Sequence, residues 1–303
     1  FLKMKINKNL FFPLSLVLLE LGVYMSTDAY LPALPSIANH LKTSESLSQL
    51  TISIWFLGGA SIQLFLGPIA DRCGRKPMVL YGSILFILTS LLCANTSNIY
   101  AFIVFRFFQG CTVASTITGG YAAIHESFNS KKAMQILATM GSITILAPAI
   151  GPLLGALIIH YTESWRYIFI VLTIWGLLGT ILIYKNMPET LKAPTEIHFK
   201  KNLMSYKDII INNIWRNYAL MSSCLIFGFF VWLITSPFLL MVHYQFSTIQ
   251  FGIAQAIIFS GFIGGMQLCK WLINTKPLPT IILLFLTINL SATIALFILS
   301  FAQ

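Results

Sequence analysis

The sequence predicts an all-α, polytopic membrane protein, and three observations carry that prediction. The 303-residue chain is 57% hydrophobic and only 9% charged, with a mean hydropathy of +0.81 that ordinary water-soluble domains do not approach. Its apolar residues fall in runs of about 20 or more, the length that crosses a hydrocarbon core of about 30 Å as a helix. Its basic residues gather in alternate connections, as expected of a chain that crosses a bilayer repeatedly. The first run is no cleaved signal, because it is too long, carries two acids and is followed by further runs. A net charge of +10 distributed in this way belongs to a membrane surface and not to a nucleic-acid interface.

Nine spans are expected in order: Leu10 to Leu31, Leu47 to Ile69, Met78 to Ala94, Ile99 to Ala123, Ala133 to Tyr161, Trp165 to Met187, Tyr218 to Val242, Thr248 to Leu272 and Thr280 to Phe301. Lys3, Lys5 and Lys8 precede span 1; Arg72, Arg75 and Lys76 separate spans 2 and 3; Lys131 and Lys132 separate spans 4 and 5. Lys185, Lys192, Lys200, Lys201, Lys207 and Arg216 lie between spans 6 and 7, and Lys270 and Lys276 between spans 8 and 9. Of the 19 lysines and arginines, only Lys42 and Arg166 fall in the opposite connections and Arg106 within a span, which puts the N-terminus in the cytoplasm.

The polar segment 189–217 reads as a cytoplasmic linker. Its Ile197, Leu203, Met204, Ile209, Ile210, Ile214 and Trp215, set among lysines, suit either a helix lying on the membrane surface or a flexible connector. The expected organisation is an N-terminal six-helix bundle over 1–188, this linker, and a partial C-terminal bundle of three spans over 218–303, as in transporters built from two six-helix halves. Beginning with Phe1 and three spans short of a second full bundle, the chain reads as a truncated form of such a fold.

Span 1 holds the candidate site. Glu20 and Asp28 are the two of the nine acidic residues expected inside the hydrocarbon, where an ionisable group costs roughly 2.5–3.5 kcal/mol on insertion scales and is a functional-site hypothesis by default. Eight residues apart, they are separated by about 80° and ~12 Å on an ideal helix, and so share a face. Tyr24 stands four residues from each and completes the stripe. A bond from either carboxyl to a neighbouring helix is the structural alternative.

Three motifs stand outside span 1. The first is Gly67-Pro68-Ile69-Ala70-Asp71-Arg72-Cys73-Gly74-Arg75-Lys76-Pro77 between spans 2 and 3, where a generic basic loop would explain the charges but not Gly67, Asp71, Gly74 and Arg75 at these spacings. The second is Arg106-Phe107-Phe108-Gln109-Gly110 in span 4, whose guanidinium stays charged and must find span 1 acids or backbone carbonyls. The third is Ala147-Pro148-Ala149-Ile150-Gly151-Pro152-Leu153-Leu154-Gly155 in span 5. There Pro148 and Pro152 weaken the helical ladder, and Gly151 and Gly155 leave a flat surface for a neighbouring helix.

Together these motifs resemble the major facilitator superfamily: its signature loop, its R-x-x-Q-G pattern and the span 5 motif of its drug/proton antiporters. Phe12-Pro13-Leu14 leading to Glu20, Tyr24 and Asp28, Gly120-Tyr121-Ala122-Ala123-Ile124 with Glu126-Ser127-Phe128, Met187-Pro188-Glu189-Thr190 and Ser236-Pro237 narrow the likeness to MdfA-type multidrug/proton antiporters. The run from Asp28 to Pro35 is more similar to the bicyclomycin/chloramphenicol-resistance branch.

The resemblance implies a multi-pass protein of the bacterial inner membrane that couples proton entry to efflux of lipophilic small molecules by alternating access. It assigns proton coupling and substrate recognition to Glu20, Asp28 and Arg106, and cytoplasmic gating to Gly67, Asp71, Arg72, Gly74 and Arg75. Pro148, Gly151, Pro152 and Gly155 are its antiporter motif. Tyr24, Met25, Tyr30, Trp55 and Trp232 are candidates to line an apolar cavity. The expected chemistry is competition between proton and drug for carboxyls that burial biases toward the neutral form. No cofactor is expected: there is no GxxxxGK[ST] nucleotide loop, and Cys73, Cys93, Cys111, Cys224 and Cys269 have neither CxxC nor metal spacing. The absence of HExxH and GxSxG motifs gives no support to an enzyme. An exporter of a specific metabolite, such as a siderophore or short peptide, and a non-transporting remnant remain alternatives at this stage.

Overall fold

A backbone in lipid has no water to bond, so long apolar runs can only satisfy their amides as helices. The computed structural model, which describes residues 11–191, 193, 206, 208–273 and 275–300, follows that rule. Among the described residues, eight helical stretches are long and apolar enough to cross a bilayer: Phe11–His40, Glu45–Cys73, Arg75–Asn95, Ile99–Ser127, Ser130–Thr162, Arg166–Asn186, Asn213–His243 and Thr248–Leu272. They correspond to spans 1 to 8. The expected ninth span is the helix Leu278–Ser300. Lys3, Lys5, Lys8, Lys192, Lys200, Lys201, Lys207, Ile197, Leu203 and Met204, used above for orientation and for the linker, lie outside the described residues.

Polar caps set most boundaries. Ser44 accepts from Leu47 N at the start of span 2, Asn98 from Tyr100 N and Ala101 N at span 4, and Asn129 from Lys132 N at span 5. Each satisfies an amide that the first turn would otherwise leave unpaired. Asn212 does the same for Ile214 N and Trp215 N, so the helix of span 7 begins at Asn213. Ile214 and Trp215, assigned by the sequence to the linker, are therefore the first turn of that span.

Span 1 also runs further than expected. Its helix Phe11–Asp28 is followed by a 3-10 turn, Leu31–Ala33, and a short helix, Leu34–His40. Pro32 and Pro35 sit in first turns, where a missing N–H costs nothing, so they redirect the chain without ending the span. Span 5 is interrupted between Thr144 and Leu146. Pro148, four residues beyond Thr144, has no N–H to give its carbonyl.

The chain divides into two compact units, 1–256 and 257–303, with the division falling inside the helix of span 8. In the first unit spans 2 and 4, 3 and 6, 3 and 4, and 1 and 6 are the most extensive helix pairs. Between spans 2 and 4 the backbones nearly touch. A β-carbon at Gly58 would strike the Phe107 carbonyl, one at Gly110 would lie 3.0 Å from Trp55 Cα, and the Cys111 thiol donates to Gly58 O at 3.3 Å. Small residues at such crossings are how helices associate where lipid removes the hydrophobic driving force. Phe12, Leu16 and Leu19 of span 1 form a core with Val79, Ile124 and Ile183 of spans 3, 4 and 6. The second unit contains the end of span 8 and the helix Leu278–Ser300, joined by a turn in which Lys276 N donates to Leu272 O at 2.8 Å.

Gly110→Val tests the crossing of spans 2 and 4. Overpacking against backbone, which cannot swing away as a side chain can, is expected to cost about 1–3 kcal/mol. It should appear as a lower thermal midpoint of the detergent-solubilised protein, whereas Gly67→Ala, at a glycine whose β-carbon would meet nothing within 4 Å, should leave that midpoint unchanged.

Candidate functional site

The first unit completely buries one charged side chain. Arg106 is 0% exposed. Its Nη1 donates to Ser26 O at 2.9 Å and to Gln109 Oε1, and its Nε donates to Thr51 O at 3.4 Å. The rings of Tyr30, Trp55 and Phe169 lie 4.6, 5.9 and 5.9 Å from its Cζ, within cation–π range. No ion pair joins it to Glu20 or Asp28 among the described residues. Of the two kinds of partner the sequence left open, the structure supplies the carbonyls.

The local fold explains why a carbonyl is free. An uninterrupted helix would use Ser26 O for the amide four residues on. Span 1 leaves regular α-geometry after Asp28, and Ser26 O turns to the arginine instead. Gln109 extends the chain of bonds, its amide donating to Ser90 Oγ at 2.8 Å. Tyr30, expected to line the cavity, is fully buried instead: its hydroxyl bonds Thr51 and its ring packs on Phe102 and Phe169.

The two acids occupy different surroundings. Asp28, 8% exposed, lines a cavity of about 250 Å³ with Tyr24, Thr27, Trp55, Phe56, Thr144, Ile145, Pro148, Phe229, Phe230 and Leu233. Glu20, 2% exposed, accepts a hydrogen bond of 2.7 Å from the Tyr121 hydroxyl, and its other oxygen is buried without a partner among the described residues. Of the five residues named from the sequence, Tyr24 and Trp55 line this cavity, and Met25, Tyr30 and Trp232 are not among its lining residues. Trp232 is engaged elsewhere, donating to Gln255 at 3.2 Å, while Gln255 donates to Ser236 at 2.8 Å.

The span 5 motif meets the Asp28 turn. Pro148 lines the same cavity. A β-carbon at Gly151 would fall 2.7 Å from Asp28 Cβ, and one at Gly155 would collide with the Ala29 carbonyl. The flat surface expected from the glycines is the seat for the end of the first helix of span 1. Pro152 is buried in the same helix.

The loop between spans 2 and 3 forms a separate polar cluster at one end of the bundle. Gly74 adopts φ +102°, a conformation natural only to glycine. Arg75 pairs with Asp71 at 2.6 Å and with Glu126 at 3.0 Å. Glu189 accepts from Arg75 N and Lys76 N at 3.1 and 3.2 Å, capping the helix of span 3. Thr190 hydroxyl donates to Glu126. Asp71, Gly74 and Arg75 are thus brought together. Arg72 is exposed, and Gly67 has open space around it. Glu126 and Glu189, present in the sequence only as parts of resembling runs, turn out to be the acids that hold this loop.

The sequence profile of the Major Facilitator Superfamily matches residues 16–303. The chain belongs to that superfamily. Its relatives within the superfamily include the chloramphenicol resistance protein CraA of Acinetobacter baumannii, 33% identical over 95% of this chain and 70% of that protein. The multidrug transporter MdfA of Yersinia pestis is 31% identical over 91% of this chain and 68% of that protein. The multidrug resistance protein MdtM of Salmonella typhimurium is 30% identical over 93% and 68%. The facilitator fold is seen again in solved structures. An inward-facing bacterial homologue of the human lysosomal transporter Spinster superimposes with a TM-score of 0.71 at 14% identity, over 90% of this chain and 65% of that one. A D-xylose-proton symporter gives 0.60 at 16% identity over 87% and 69%. The chain spans about two thirds of the length of these relatives.

Arg106→Lys separates a planar, many-armed donor from a point charge. A lysine cannot serve Ser26 O, Thr51 O and Gln109 at once. The expected loss is about 1–3 kcal/mol of stability, from lost charged hydrogen bonds, read as a lower thermal midpoint. Ser90→Ala, which removes a neutral bond at the end of the chain, should cost about 1 kcal/mol or less.

Proposed function

We propose that this facilitator exports drugs or other lipophilic small molecules across the bacterial inner membrane in exchange for protons, with its N-terminus in the cytoplasm. The observation that carries the proposal is the placement of Asp28. A carboxyl in an apolar, aromatic cavity of about 250 Å³ is the kind of site that takes a greasy ligand and fixes it through one or two polar contacts. Two further polar groups belong to residues on the same wall: Thr27 Oγ1 and Trp55 Nε1 are buried without partners among the described residues.

Glu20, two turns away on the same helix, supplies a second carboxyl under a different constraint. A buried carboxyl exchanges its proton only when something else compensates its charge. A cationic substrate at Asp28 is such a compensation, so its arrival favours release of a proton. Reprotonation from the other side then favours release of the substrate. Arg106 holds the helix carrying both acids through its backbone, and the seat of Gly151 and Gly155 lets span 5 bear directly on the Asp28 turn. Access alternates as one bundle rocks against the other, with the cluster of Asp71, Arg75, Glu126 and Glu189 closing the cytoplasmic side in one state and parting in the other. The relatives, one named for chloramphenicol resistance and two for multidrug resistance or transport, support this reading over export of a single metabolite.

Cells expressing the full gene should extrude both tetraphenylphosphonium, a lipophilic cation, and chloramphenicol, a neutral drug, and an uncoupler should abolish both. Asp28→Asn should lower cation efflux about tenfold or more, the scale of a lost charged contact, and Glu20→Gln with Asp28→Asn should abolish it at unchanged protein level. Wild-type efflux from that double variant would reduce the carboxyls to packing groups.

A further inference from the structure

Span 4 is not one continuous α-helix. After Ile99–Ser115 the backbone widens into a π-turn over Thr116–Tyr121, and α-geometry resumes at Ala122. A π-turn carries one residue more than an α-turn, so everything beyond it is rotated by about 100° relative to an uninterrupted helix. Such turns are rare and are frequently found at functional sites.

The residue that this turn delivers is Tyr121. Its hydroxyl donates to Glu20 Oε1 at 2.7 Å. The widened turn is wedged in place: a β-carbon at Gly119 would lie 2.9 Å from Arg75 O of span 3, and one at Gly120 would lie 2.6 Å from the Leu16 side chain of span 1. Glu20 Oε2 is buried and has no partner among the described residues. One carboxyl oxygen is therefore held and the other is not.

The surroundings leave this contact as the main polar influence on Glu20. Tyr24 and Asp28 share its helix. Span 6 packs Trp175 against Gly22 and Gly179 against Leu19, and span 5 shares a cavity with Pro13, Leu14 and Val17, one turn before Glu20, to which it brings Lys132, Gln135 and Met140. Arg106 of span 4 is committed to the Ser26 and Thr51 carbonyls and to Gln109.

We propose that Tyr121 is a positioning residue for proton exchange at Glu20: it fixes Oε1, leaves Oε2 as the atom that gains or loses the proton, and so makes the π-turn of span 4 responsive to that proton. A hydrogen bond to an ionised carboxylate is roughly twice as strong as one to a neutral partner. The joint between spans 1 and 4 is tight when Glu20 is charged and slack when it is protonated. A slack joint frees the π-turn to relax toward α-geometry, which turns Tyr121 away. The proposal rests on the export reading and assigns, within it, the element through which the proton acts on the backbone.

The test uses Tyr121→Phe in the full-length transporter, with Glu20→Gln and the double variant. The first readout is the infrared band of a protonated carboxyl, assigned to Glu20 by its loss in Glu20→Gln and followed against pH in purified protein. Tyr121→Phe should displace both the band and its titration, and Tyr81→Phe, at an exposed tyrosine of span 3, should displace neither. The second is tetraphenylphosphonium transport against pH. Tyr121→Phe should shift the profile and lower the rate about tenfold, the scale of a lost charged hydrogen bond, and should have no further effect once Glu20 is Gln. An unmoved band, or full additivity of the two substitutions, overturns the positioning role while leaving export intact. A wild type that moves no substrate overturns the export reading, and the band still decides whether Tyr121 holds Glu20.

Discussion

A guanidinium removed from water has to find acceptors; in the first unit of this protein Nε and Nη1 of Arg106 find them, while Nη2 has none among the described residues and the guanidinium lies over aromatic rings. Arg106 takes carbonyl oxygens from spans 1 and 2 and the amide of Gln109 from its own helix. Neither carbonyl could be reached without further features. Span 1 leaves α-geometry after Asp28, which releases Ser26 O. Spans 2 and 4 approach to backbone contact through Gly58 and Gly110, which brings Thr51 O within reach. The arginine is thus the tie between three helices, and the acids of span 1 are placed by the same break that feeds it.

From that tie follows a division of labour. Asp28, at the break, borders the apolar cavity and rests against the glycines of span 5. Glu20, two turns back within regular helix, faces span 4 and the Tyr121 hydroxyl. Two carboxyls on one helix thereby meet different surroundings, one an apolar cavity and the other a backbone irregularity. The loop of Asp71, Gly74 and Arg75 lies apart from this machinery and joins spans 2, 3 and 4 to the segment after span 6 through Glu126 and Glu189.

Much of this was legible in the sequence because hydrocarbon punishes polar residues and so makes them conspicuous. The spans, the acids, the intramembrane arginine and the glycine pair of span 5 stand out for that reason. What stayed hidden was direction. Tyr30 carries the composition of a cavity residue, but the turn after Asp28 rotates it beneath Arg106, where its ring is worth more as a cation–π partner. Trp232 is diverted by Gln255, a contact between residues 23 apart that no local pattern announces. The π-turn has only the weak signature of Thr116-Ile117-Thr118-Gly119-Gly120, a run of poor helix formers. Asn212 caps a helix that starts at Asn213, five residues before the expected apolar span at Tyr218. Caps and carbonyl partners are geometric facts, and composition does not encode them.

The central claim is that substrate and proton exclude one another through the carboxyls of span 1. The most direct measurement is proton release on substrate binding, made with purified transporter in weakly buffered detergent solution at neutral pH. Saturating tetraphenylphosphonium should release protons from the wild type, and the yield should fall to the baseline in the variant carrying Glu20→Gln and Asp28→Asn, even at substrate concentrations that restore its occupancy. Binding without proton release in the wild type, or undiminished release from the double variant, would contradict the account.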